Sequence, residues 1–382
     1  MTTTLFRDCA LADGRADVLW DPERGIAAVG GPNTLRGDDV VTGGMVTPPL
    51  AEPHVHLDAA LLGAQAPNVS GTLREGIANW ARLRGGLTRD DVLKRARATL
   101  AMYREQGCLR VRTHVDTGSA VAVEALLELQ GPNLQVVAFP QEGVLRAPGR
   151  QAAWARAVEM GCDAVGAIPH FERTTEEGWE SVRLAFRLAE KHGRRVDLHC
   201  DETDDPGSRN LEVVCAEAAH RSVPHVVAGH CTAMHSYPDP YAAKVIELVA
   251  ASGVQVVCNP LDNVVLQGRY DGYPRRRGLT RVDQLWAGGA SVGVGHDSVQ
   301  DPWYRLGTAS LLDAAYMLVH VGHLTAEAEM KRVVRTLYTE NHDCFGSRPS
   351  VEPGARAMLW WDATDEVGLL THRPRPRVLQ AA

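Results

Sequence analysis

Residues 51–58 read AEPHVHLD. They follow an apolar run from Met45 that reads as a strand entering a core, and they place His54 and His56 two residues apart. In a strand, side chains at that spacing leave the same face. Two imidazoles on one side of a strand end are half of a divalent-metal site. An isolated His-x-His pair packs beside a turn as readily as it binds metal, so the reading depends on finding the remaining ligands.

Working outward, seven further short apolar runs follow: 109–115 (LRVRTHV), 134–140 (LQVVAFP), 163–169 (DAVGAIP), 195–200 (RVDLHC), 225–230 (HVVAGH), 254–259 (VQVVCN) and 291–297 (SVGVGHD). Amphipathic segments of helical length lie between most of them, such as 121–130, 179–192, 211–221 and 242–252. Buried strands alternating with helices indicate a parallel sheet, and with the His54 strand the count is eight, the number that closes an α/β barrel. In such barrels the working groups sit at the C-terminal strand ends. Here those ends carry His54 and His56, His114 and Asp116, Gln141 and Glu142, His170, His199, His230, Asn259, and His296 with Asp297. Fifteen histidines scattered at random would not favour one end of successive strands.

The fold class expected is therefore a (β/α)8 TIM-like barrel over residues 45–349. Short strands are expected in residues 1–44 and again in 350–382, the two ends that the resemblance described below joins into a small β domain. Short alternating runs at 3–9, 15–20 and 25–29, separated by Asp, Pro and Gly, supply its first strands, and 356–361 (RAMLWW) reads as a returning strand before a Pro/Arg-rich tail expected to be partly loose. Within the barrel, 71–83 and 88–106 have apolar residues at helical spacing, and Thr88 with Asp91 resembles a capping box. The net charge of −7 argues against a nucleic-acid partner, though not against a free base, which carries no phosphate. No apolar run is long enough to cross a bilayer, and the start lacks a signal-peptide pattern, so a cytoplasmic protein without membrane contact is the expectation. Eight scattered cysteines without a CxxC pair indicate buried thiols rather than a zinc ribbon or a disulfide framework.

Taken singly, His199 in VDLHCDETDD ends its strand three residues before Glu202, which suits metal binding coupled to proton transfer. His230 alone divides evenly between core and function. Asp297 offers a carboxylate that can complete a coordination sphere and accept a proton. His296 should point the other way, as strand neighbours do, and His114 and His170 read as supporting residues. Strand alternation turns Cys200 and Cys231 to the barrel wall. Arg275, Arg276 and Arg277 read as a solvated or salt-bridged patch, and the acidic run 201–205 lacks EF-hand spacing and reads as the loop that aims Glu202.

The order His-x-His on strand one, His on strands five and six, and Asp on strand eight resembles the amidohydrolase superfamily. The strings EPHVHLD, SGTLREGI, RTHVD, FPQEG, VGAIPHFE, LHCDETDD, TAMHSY, NPLDN, LQGRYDGYPRRRGLTRV and GHDSVQDPWY are similar to those of bacterial cytosine deaminases over most of 45–304. The resemblance implies that His54, His56, His199 and Asp297 bind one divalent metal ion, iron or zinc. It further implies that Glu202 shuttles protons to the pyrimidine ring, His230 steadies the attacking water, and Gln141 holds the amide edge of the base, with Leu73 and Trp303 shaping the pocket. Asp297 and His230 would take the proton from that water. Binuclear relatives use a carboxylated lysine on strand four; DAVGAIPHFE has none, which favours one metal.

One departure bears on the substrate. Cytosine deaminases of this family usually carry a second aspartate after the metal-binding one, and this chain has Ser298. Serine is expected to remove a carboxylate from the pocket and leave room for a methyl group, whose burial gains about 0.8 kcal/mol. Family members with serine there are associated with 5-methylcytosine. The expected reaction is 5-methylcytosine to thymine plus ammonia, or cytosine to uracil plus ammonia, on a free pyrimidine base by a homo-oligomeric enzyme. Two other readings stay open: hydrolysis of another ring amine or cyclic amide (aminotriazine, creatinine-like or isoguanine-like), and a metal-free binding relative.

Overall fold

The computed structural model describes residues 2–382. Eight parallel strands run in chain order around one sheet: Leu50–Val55, Cys108–Asp116, Leu134–Phe139, Ala164–Val165, Arg195–Cys200, Val226–His230, Gln255–Cys258 and Val292–Val294. Helices Ala120–Leu129, Arg150–Glu159, Thr175–His192, Asn210–His220 and Asp239–Ser252 return the chain between strands two and seven. Their inner faces are apolar, with Leu126, Trp154, Phe186, Leu211 and Val245 buried against the sheet in one continuous core. Local chemistry sets their ends. The Ser119 and Thr174 side chains accept from the backbone N–H three residues on, and Gly193 and Gly253 close two helices in the left-handed conformation. Thr88 caps the helix Arg89–Glu105 by accepting from Asp91 N at 3.3 Å.

The fourth strand is shorter than its apolar run suggests. Regular pairing covers Ala164–Val165, single backbone bonds at Gly166 and Ala167 continue it, and Pro169 then opens the short 3-10 turn Pro169–Phe171.

The barrel closes by an unusual route. Among the described residues, the first and eighth strands share one bridge, Val55 with Asp297, in place of a ladder. Side chains carry the remaining bonds. Asn341 Nδ2 donates to Ala51 O at 2.7 Å and to Val294 O at 2.8 Å, while its Oδ1 accepts from Val294 N at 2.8 Å. The buried Glu52 carboxylate accepts from His54 N at 2.9 Å and His296 N at 3.0 Å. Asp297 N then donates to His54 O at 2.9 Å. This seam sets the two strands that carry His54 and Asp297 side by side.

A second sheet of seven strands joins both ends of the chain: Thr4–Leu11, Gly14–Asp21, Gly25–Gly30, Asp39–Thr42, Met45–Thr47, Ala357–Trp361 and Arg377–Gln380. Its own core holds Phe6, Val18, Trp20, Ile26, Val46 and Met358. Met45–Thr47 pairs with Ala357–Trp361, so this sheet reaches past the 44/45 division expected from the sequence. The tail differs from expectation as well. Arg377–Gln380 is an ordered edge strand antiparallel to Ala357–Trp361, and the helix Glu366–His372 before it buries Leu369 and Leu370 in the barrel core. Arg335 anchors that helix through Glu366, Nε to Oε1 at 2.7 Å. No helix among the described residues is long and apolar enough to cross a membrane.

Candidate active site

At the C-terminal rim the first strand delivers His54 and, one step past its end, His56. The fifth strand delivers His199, the sixth His230, and the bridge after the eighth Asp297. Their donor atoms converge. His199 Nε2 lies 3.0 Å from His56 Nε2 and 3.2 Å from His54 Nε2, and Asp297 Oδ1 lies 3.6 and 3.8 Å from the same two nitrogens. Metal–nitrogen and metal–oxygen bonds of about 2.0–2.2 Å put neighbouring ligand atoms roughly 3.0–3.5 Å apart. Burial pushes the pKa of His54, His56 and His199 well below the ordinary histidine value, so these imidazoles are neutral at physiological pH. His199 Nε2, set between two other ring nitrogens, is poorly satisfied by hydrogen bonds alone, and two groupings here, His54 with His114 and His199 and His54 with His230 and Asp297, bring their ligand atoms close enough to share one cation. The cluster is suited to a metal ion.

The backbone aims these groups at a cost. His230, Cys231, Asp297 and Asp201 all adopt left-handed φ values, between 50° and 67°. Non-glycine residues held there cost on the order of 1–3 kcal/mol each and collect at functional sites. Asp201 is secured by Ser208 Oγ at 2.6 Å, Asn210 Nδ2 at 2.8 Å and Leu211 N at 2.9 Å, which fixes the turn that presents Glu202. The acidic loop therefore does aim Glu202. Gly229 leaves room beside His54: a Cβ there would come 3.1 Å from the imidazole and crowd it.

Behind the cluster, His114 is tied down by Asp197, its Nε2 3.2 Å from Oδ1, and Asp197 is paired with Arg112 Nη1 at 2.7 Å. All three are fully buried. Phe139 stacks on His199 with centroids 3.9 Å apart. His170 Nδ1 accepts from Glu202 N at 3.4 Å. His296 turns away, its Nε2 accepting from Thr308 N at 3.2 Å. Arg276 is salt-bridged to Asp271, and Arg277 donates to Val321 O at 2.8 Å.

The groups expected to meet substrate lie together. His56, Leu73, Gln141, His199, Glu202, His230, Asp297, Ser298 and Trp303 line one tight cavity of about 20 Å³. His230 Nδ1 is 3.6 Å from Glu202 Oε1, 3.9 Å from Asp297 Oδ2 and 3.0 Å from Asn263 Nδ2. Burial pushes the Glu202 carboxyl up to about 8. Trp303 stacks towards His56 at 5.9 Å, and only a glycine at 76 admits its indole, since a Cβ there would sit 2.3 Å from the ring. Through Leu73, Glu202 and Leu266 the cavity adjoins an open vestibule of about 410 Å³ that also includes Arg74, His170, Gln267 and Arg269.

Two lining residues escaped the sequence reading, Asp262 and Leu266. Both belong to the helix Pro260–Leu266 that follows strand seven. Asp262 corrects the expectation about Ser298. The Ser298 hydroxyl donates to Asp262 Oδ2 at 2.6 Å, so a carboxylate still backs this wall, supplied from the adjacent helix. The NPLDN string contained the signal, but nothing in one sequence says that 262 and 298 meet.

Residues 67–346 match the family model described as the amidohydrolase family. The chain belongs to the amidohydrolase family. It is a hydrolase acting on C–N bonds of cyclic compounds. This amidohydrolase is 35% identical to 5-methylcytosine deaminase from Klebsiella pneumoniae, solved with 5-fluorocytosine bound. The TM-score is 0.93, with 100% of this chain and 97% of that chain covered. It is 28% identical to pterin deaminase of Rhizobium rhizogenes over 74% of its own length, and it spans 66% of that relative. It is 23% identical to N-isopropylammelide isopropyl amidohydrolase of Pseudomonas sp., covering 85% of this amidohydrolase and 81% of that relative.

Proposed function

We propose that this amidohydrolase is a metal-dependent deaminase of a cytosine-type base, taking 5-methylcytosine to thymine plus ammonia and cytosine to uracil plus ammonia. The observation that carries the reading is the whole-chain likeness, at 35% identity, to a deaminase of 5-methylcytosine. One divalent cation, iron or zinc, would be held by His54, His56, His199 and Asp297. Such an ion, when bound, brings the pKa of water towards neutrality.

The chain's own groups then divide the work. Asp297 directs Oδ1 to the histidines and Oδ2 to the side of His230, which leaves one oxygen free to take a proton from the attacking water. His230, held by Asn263, steadies that water. Glu202, kept protonated by burial, gives its proton to the ring nitrogen beside the amine-bearing carbon and so lets the ring accept electrons. Protons relayed to the amine release it as ammonia. Gln141 holds the amide edge, Leu73 and Trp303 clasp the ring faces, and Ser298 leaves space for a 5-methyl group.

A second reading, a bicyclic aminopteridine, draws on the vestibule next to Glu202, which has room for another ring, and on the likeness to a pterin deaminase. The test is ammonia release from 5-methylcytosine, cytosine and pterin, compared by kcat/KM with metal-loaded protein. A preference for 5-methylcytosine of tenfold or more is expected. Preference for pterin would transfer the assignment to the second reading, and activity on none of the three would overturn both.

A further inference from the structure

We infer that Asp262 is a specificity-determining residue that accepts a hydrogen bond from the exocyclic amine of the substrate, an inference that rests on the ring-amine reading above. Asp262 is 2% exposed and lines the reaction cavity. Its Oδ2 is taken by the Ser298 hydroxyl at 2.6 Å, and its Oδ1 has no partner among the described residues. A buried carboxylate oxygen without a donor is costly to keep. Asp301, also buried and with its Oδ2 likewise unpartnered, differs in place: its Oδ1 accepts from Trp303 N at 2.9 Å and Tyr304 N at 3.1 Å, and it does not line the cavity.

Position decides which donor Asp262 meets. The reacting carbon must lie against His56, His199 and Asp297, and Ser298 follows Asp297 directly. Asp262 is bonded to Ser298, so its free oxygen belongs to the wall beside that carbon's substituents. The amine on that carbon has two N–H groups to give. The oxo group that replaces it has none, and its lone pairs would oppose those of Asp262 Oδ1. Asp262 therefore selects for the amino substrate and against the oxo product. It also takes the only proton of Ser298, so the serine offers the base no donor, which suits a methyl neighbour. The acidic group behind Ser298 thus comes from the helix Pro260–Leu266.

The experiment compares wild type with Asp262→Asn and with the exchange variant Asp262→Val/Ser298→Asp, measuring kcat/KM for 5-methylcytosine, cytosine and pterin and the inhibition constant of thymine. In Asp262→Asn, kcat/KM is expected to fall at least tenfold, because the amide that keeps Ser298 satisfied turns N–H towards the amine. Thymine should bind as before or more tightly. The exchange variant, which places the carboxylate at position 298, is expected to regain turnover on cytosine while losing it on 5-methylcytosine. Equal losses for base and thymine, or no loss for either, would overturn the inference. If wild type deaminates pterin and neither pyrimidine, the cytosine reading has failed; the same split is then required between pterin and its deaminated product, and its absence there overturns the role of Asp262.

Discussion

Glu202→Gln is expected to lower kcat by about 10²–10⁴-fold, with KM and bound metal nearly unchanged. Glutamine keeps the size of Glu202 and can still donate a hydrogen bond to a ring nitrogen, but it cannot transfer a proton. Glu202 is suited to that transfer by its surroundings. It lines the cavity, it lies 3.6 Å from His230 Nδ1, and burial raises its pKa to about 8. A group with a raised pKa is protonated at neutral pH and loses its acid form as pH rises through that value. A cation at the histidine cluster favours the ionised form, so the high-pH limb of the rate profile should fall at or below about 8 in the native enzyme. In Glu202→Gln that limb should vanish. Loss of kcat by less than tenfold, with the limb retained, would remove Glu202 from the proton path.

The second large effect concerns support behind the site. Arg112→Met is expected to destabilise the fold by about 3–5 kcal/mol in denaturant titration, because it leaves Asp197 charged and unpaired in the interior. Both side chains are fully buried, and Arg112 Nη1 meets Asp197 Oδ2 at 2.7 Å. Arg112 also holds Gln135 Oε1 at 2.7 Å, while Asp197 holds His114. Burial alone would raise the Asp197 carboxyl, yet His114 and Arg112 keep it below the usual aspartate value. A depressed carboxyl contributes stability that is present above its unfolded pKa and lost as pH falls through its folded pKa. Without Arg112 the carboxyl can relieve its burial by taking a proton, so the deficit should be smaller at pH 5 than at pH 7.5. A deficit under about 1 kcal/mol at neutral pH would mean that the pair does not support this core.

Much of this architecture is legible in the residues. Alternation of short apolar runs with amphipathic segments carries the barrel, since a parallel sheet buried on both faces needs uninterrupted apolar strands. The rim is legible because strand ends are marked by the same runs, which is why the structure brings His54, His56, His199, His230 and Asp297 together. What escapes is contact between distant segments. Asn341 closes the barrel seam from beyond the eighth strand, and a lone asparagine in TENHD carries no local sign of that. Asp262 reaches Ser298 across a gap of 36 residues and reverses the expectation of a wall free of carboxylate. The tail after Trp361 reads as partly loose from its Pro/Arg content, but pairing of Arg377–Gln380 to Ala357–Trp361 outweighs composition.

The most direct test of a metal-dependent deaminase is reconstitution. Protein stripped by chelator is titrated with Fe²⁺ or Zn²⁺ while bound metal and ammonia release from 5-methylcytosine are followed together, with His199→Ala alongside. The account predicts that both signals rise in step and level off at one equivalent per chain, and that His199→Ala takes up less metal and stays inactive. Full ammonia release from metal-stripped protein, or saturation only at two equivalents, would contradict it.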